Sequence, residues 1–103
     1  MRARPMKKEL KQLDIEELSL LHEQIDSDPS KVAALLFPDR PADHVWVTEQ
    51  IGQWAINQTA VIESVVNDKP EVATIFKKVG NRIWQQLPYY AQRVQIKIEL
   101  KAL

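Results

Sequence analysis

Between Ala42 and Val66 the chain runs twenty-five residues without a proline, and its side chains repeat in alternating steps of four and three: Val47, Ile51, Trp54, Gln58, Val61 and Val65. That spacing is one stripe of a long α-helix with a single polar member. Ala55, Ile62 and Val66 widen the stripe on one side. A face so wide suits a helix buried against two or more neighbours, which the rest of the chain must supply.

The neighbours are punctuated by caps and prolines. Asp14 followed three positions later by Glu17 is a capping-box pattern, and Leu18, Leu21 and Ile25 then recur at helical spacing to about Asp26. Asp28 before Pro29 starts a short second helix that runs to Phe37, since proline at the first helical position lacks an N–H that would be unpaired anyway. Pro38 and Pro41 enclose a turn ahead of the long helix. Asp68 and Pro70 repeat the start signal, and Val72, Phe76, Val79 and Ile83 form the stripe of a further helix ending near Leu87, before Pro88. Gly80 within it lets an indole or a neighbouring helix come close, at a cost of about 1 kcal/mol relative to alanine. The expected fold is all-α, a small bundle of four to five helices built as two αα hairpins.

A shift of forty positions lays Glu23 on Glu63, Asp28 on Asp68, Val32 on Val72 and Ala33 on Ala73. Two helical hairpins obeying one capping grammar align this well without a duplication, and two copies make a poor solenoid.

The C-terminal segment, about 92–101, breaks the helical pattern. Val94, Ile96, Ile98 and Leu100 alternate with Gln95, Lys97 and Glu99, which is period two, and no second convincing strand stands elsewhere in the chain. A lone strand leaves a row of backbone groups unpaired, so the segment is expected to be solvated, to become a last helix, or to find its ladder on another chain.

Charge is segregated. Residues 1–13 hold five bases and one acid, residues 14–68 eleven acids and two bases, and residues 69–103 seven bases and two acids, for net +4, −9 and +5. Such blocks report either pairing of opposite elements or two surfaces for two kinds of partner. Residues 1–13 read as a basic, flexible N-terminal arm and 14–103 as one helical domain.

Chemical signatures are sparse. There is no cysteine, which removes disulfides and thiol chemistry and permits a reducing compartment; with no apolar run of spanning length, the expected location is the cytoplasm. His22 and Asp26, one turn apart, read as a surface ion pair rather than half a metal site. Asp43 and His44 read as the start of the long helix, with no nucleophile beside them. Asp26, Asp28 and Ser30 resemble a calcium loop only until Lys31 and Phe37 occupy the glycine and glutamate places. No catalytic, cofactor-binding or metal residue is assigned, no small-molecule substrate or membrane partner is indicated, and no enzyme is expected.

Two binding readings remain. In the leading one the chain is a non-enzymatic protein interaction or adaptor module that self-associates, as a homodimer, through the off-stripe aromatics Trp46, Trp84, Tyr89 and Tyr90 and the tail residues Val94, Ile96, Ile98 and Leu100. In the alternative it is a small nucleic-acid-associated regulator using Arg2, Arg4, Lys7, Lys8, Lys77, Lys78, Arg82, Arg93, Lys97 and Lys101. A helix-turn-helix over 71–86 fits badly, because Gly80 in the turn puts bulky Phe76 where a small residue must pack.

Overall fold

The computed structural model describes residues 7–97. Strand β1 (Lys7–Glu9) leads through a 3-10 turn into α1 (Ile15–Ser27) and α2 (Pro29–Leu36); a second 3-10 turn precedes α3 (Val45–Val66), followed by α4 (Pro70–Gln86), the single turn α5 (Tyr89–Gln92) and β2 (Gln95–Lys97). The architecture is the expected all-α bundle of two hairpins, α1/α2 and α3/α4, with a small two-stranded sheet added.

Local capping sets the first helices. At α1 the Asp14 carboxylate accepts from the Glu17 N–H at 2.9 Å and the Glu17 carboxylate accepts from the Asp14 N–H at 2.9 Å, the reciprocal capping box. Asp28 closes α1 and opens α2, its carboxylate accepting from the Lys31 N–H at 3.1 Å. Helix α3 runs through the middle: α1 and α2 pack on one side and α4 along another. Leu10, Leu18, Val47, Ile51 and Ala55 are essentially inaccessible, joined in the core by Leu21, Ile25, Trp54, Leu87 and Ala91. The expected seam holds at Val47, Ile51 and Trp54, loosens to half-buried at Gln58 and Val61, and ends exposed at Val65. Thr48 and Thr59, buried within α3, donate their hydroxyls to the His44 and Ile56 carbonyls at 2.8 Å.

Five sequence expectations are corrected. The strand at 95–97 is not alone: it pairs antiparallel with β1 in the register Lys7–Lys97, Lys8–Ile96 and Glu9–Gln95. Its alternation is real, with Ile96 buried and Gln95 and Lys97 exposed. Its partner escapes a propensity reading because Lys7–Lys8–Glu9 is three charged residues whose strand state comes from a pairing across the length of the chain. The stretch 7–13, grouped above with a flexible arm, is therefore folded in, with Leu10 and Leu13 in the core.

Asp68 does not cap α4. It lies in the left-handed region, φ 55°, and its N–H donates to the Val65 carbonyl while that of Lys69 donates to Ser64, so it is the turn residue of a Schellman C-terminus on α3. Lys69 holds the N-cap position of α4 without a side-chain cap. The forty-residue echo thus matches two aspartates that both end a helix, of which only Asp28 also caps the next one. His22 and Asp26 form no ion pair among the described residues.

The fifth correction concerns α4. Its most buried positions are Ala73 and Gly80, small residues that bring its backbone close to α3, whereas Val72 and Val79 of the expected stripe are exposed. A β-carbon at Gly80 would stand 3.5 Å from Asn57 Cβ and 4.0 Å from Trp54 Cδ1, so the close neighbour is α3 and its indole.

Candidate interaction surface

The aromatics singled out from sequence separate into two groups. Trp84 is half-buried: its ring lies 4.8 Å from that of Trp54, and the Lys11 ammonium sits 4.7 Å over its outer face. It belongs to the core, as do Ile96 and the partly buried Val94. Trp46, Tyr89 and Tyr90 are exposed by 57%, 71% and 53%, a large share for side chains of this size. Ile98 and Leu100 lie outside the described residues.

Two of these exposed rings are held in place. Tyr90, on α5, meets the start of α3 through a hydrogen bond of 3.0 Å between its hydroxyl and His44 Nε2. His44 Nδ1 is 2.6 Å from the Arg40 carbonyl, which only accepts, so Nδ1 carries a proton and donates to it. The imidazole stacks on Phe37 with centroids 4.3 Å apart, and Tyr90 meets Phe37 edge-on at 6.1 Å. Tyr89 accepts from Arg93 at 3.3 Å, and Arg93 in turn pairs with Glu9 of β1 at 2.9 Å. The Glu9 carboxylate and then the Tyr89 phenol hold the Arg93 guanidinium above its ordinary pKa. Behind them, Gln92 donates to the Trp84 and Leu87 carbonyls and fixes α5 on the end of α4.

The bases of the alternative reading are dispersed. Lys8 is committed to Glu17 at 3.0 Å and Arg93 to Glu9, while Lys7 and Lys97 face each other across the sheet. Lys77, Lys78 and Arg82 are exposed on α4 with no acidic partner among the described residues. Arg2, Arg4 and Lys101 lie outside the described residues.

Two features had no place in the sequence reading. At the turn between α3 and α4, Val65, Val66, Val72, Ile75 and Val79 are all exposed. The signal was Ile75, which shares three- and four-residue spacing with Val72 and Val79 and makes the stripe too wide for one neighbour. Between α1, α2 and β2 runs a groove of about 530 Å³ lined by Leu20, Leu21, Val32, Leu35, Leu36 and Ile96 among others. Among the described residues no group of three or more His, Cys, Asp or Glu is placed to hold a metal ion, and no helix is long and apolar enough to cross a membrane.

The fold and surface define a class of protein, a small helical bundle clasped by a two-stranded sheet near its ends. No protein-family model, curated protein or solved structure matches this chain.

Proposed function

We propose that the chain is a non-enzymatic protein interaction module that presents Trp46, Tyr89 and Tyr90 to a protein partner, in a cytoplasmic setting suggested by its cysteine-free composition. The observation that carries this reading is the exposure of three large aromatics near the start of α3 and on α5, two of them braced by hydrogen bonds. Tryptophan and tyrosine dominate binding hot spots, and a braced ring loses little side-chain entropy on binding. The first reason for a strand-mediated homodimer is gone, since β2 already has its ladder in the same molecule.

The test is affinity capture with the full chain, wild type beside a Trp46→Ala, Tyr89→Ala variant of unchanged circular dichroism. A protein held by the wild type, identified by mass spectrometry, rebound in purified form and lost by the variant supports the reading. Equal capture by both, or capture abolished by nuclease, refutes it. A second reading, nucleic-acid association, rests on exposed Lys77, Lys78 and Arg82, which have no acidic partner among the described residues; it predicts binding whose logarithm falls linearly with log salt and a shallower slope after their substitution.

A further inference from the structure

Among the described residues the opposite charge blocks scarcely meet. The ion pairs among the described residues are Lys8–Glu17, Arg40–Asp43 and Arg93–Glu9, so of the acids in 14–68 only Glu17 is matched by a base from another block. The cause is the layout: α1 and α4 each pack on α3 rather than on each other.

Each outer surface combines its charge with exposed apolar groups. On α4, Val72, Ile75 and Val79, exposed by 38%, 62% and 45%, form a ridge at steps of three and four, flanked by Lys78 and Arg82 one turn apart. On α1, Glu16, Leu20 and Glu23 stand at steps of four and three. Leu20 opens into a groove shared with Leu35 of α2, which is 73% exposed. Glu23 and Asp28 line the α1/α2 end of the groove together with the base Lys31, while Lys7 and Lys97 line its far end beside β2. One surface is an apolar ridge with Lys78 and Arg82 toward its C-terminal end and the acid Glu71 at its start; the other is an apolar groove whose α1 rim carries Glu16 and Glu23, its bases Lys7 and Lys97 lying at the opposite, β2 end.

We infer that the α4 ridge docks into the α1/α2 groove of a second copy of this chain, Lys78 and Arg82 facing Glu16 and Glu23. A helix laid in a groove is anchored by residues at this spacing, and complementary charge sets its register and excludes like-charged partners. The two surfaces are different, so the contact is head-to-tail and leaves a free ridge and a free groove on every pair. Association grows with concentration rather than stopping at a dimer unless the rotation closes a ring. The contact is separate from the aromatic surface proposed above.

Sedimentation velocity of the full chain decides it. Average mass is expected to rise with concentration at low salt and to fall to the monomer at about 0.5 M salt, where screening reaches only a few ångströms. Lys78→Glu with Arg82→Glu, and separately Glu16→Lys with Glu23→Lys, are each expected to weaken association roughly tenfold or more, and mixing the two variants restores it. The Trp46→Ala, Tyr89→Ala protein associates as the wild type does, which separates this contact from the aromatic one. Should a charge-reversed variant lose its helical signal, Lys78→Gln with Arg82→Gln and Glu16→Gln with Glu23→Gln replace it, each expected to reduce association severalfold. The inference is overturned by a wild type monomeric at every concentration and salt, by undiminished association of either charge variant, by a mixture that fails to associate, or by low-salt assemblies that nuclease dissolves.

Discussion

The two glycines of this chain are predicted to respond to alanine with opposite signs. Both lie inside helices, Gly52 in α3 and Gly80 in α4, so both substitutions gain about 1 kcal/mol of helix propensity. Their surroundings decide the rest. At Gly80 the new methyl meets Asn57 Cβ at 3.5 Å and Trp54 Cδ1 at 4.0 Å, ordinary contacts that bury it without displacement. Gly80→Ala is therefore expected to stabilise by about 1 kcal/mol, raising the melting temperature by roughly 4–8 °C for a domain of this size. At Gly52 the methyl arrives 3.0 Å from Ile25 Cγ2 and 3.4 Å from Ile25 Cβ. Ile25 is 4% exposed and β-branched, so it has little rotamer freedom with which to retreat. Overpacking of this kind costs about 1–3 kcal/mol, so Gly52→Ala is expected to be neutral to about 2 kcal/mol destabilising. Urea unfolding followed by helical circular dichroism measures both. The reasoning fails if Gly80→Ala destabilises by more than about 0.5 kcal/mol, or if Gly52→Ala proves the more stable of the two.

Asp68, at φ 55°, gives a second contrast: Asp68→Gly is expected to stabilise by up to about 1 kcal/mol and Asp68→Val to cost about 1–3 kcal/mol in the same assay, whereas an N-capping aspartate would lose stability on either change. Trp84→Ala is expected to cost about 2–4 kcal/mol, because the ring is wedged between Trp54 and Lys11. Trp46→Ala is expected to stay within about 0.5 kcal/mol of wild type, its ring being mostly in solvent. Thermal melts of these two variants side by side check the division of the tryptophans.

What the sequence revealed and what it hid follow from the range of the interactions involved. The starts of α1 and α2 were legible because Asp14 and Asp28 act on N–H groups three residues away. A similar spelling misled at Asp68, where Lys69 stands between the aspartate and Pro70 and takes the cap position, leaving Asp68 to finish α3 instead of starting α4. Helical periodicity located the stripes of α3 and α4 but carries no record of whether the chain can cover them; α1 covers the first half of α3 and leaves Val65, Val66 and Val72 bare. The partner of β2 was invisible for a different reason, since a strand spelled Lys–Lys–Glu exists only through what lies opposite it. Off-stripe position picked out Trp46, Tyr89 and Tyr90 as exposed rings, yet it could not separate them from Trp84, whose shelter comes from Lys11 seventy-three positions away.

Central to this fold is the pairing of β1 with β2 within one molecule, which joins the two ends of the described residues. Lys7→Cys with Lys97→Cys tests it directly, because the chain has no other cysteine and these residues are cross-strand partners. Directly opposed strand residues stand about 4.5–5.5 Å apart at Cα, within the span of a disulfide. Oxidation followed by non-reducing electrophoresis is expected to give an internally linked monomer at every protein concentration; disulfide-linked dimers that increase with concentration, or no linkage at all, would contradict the claim.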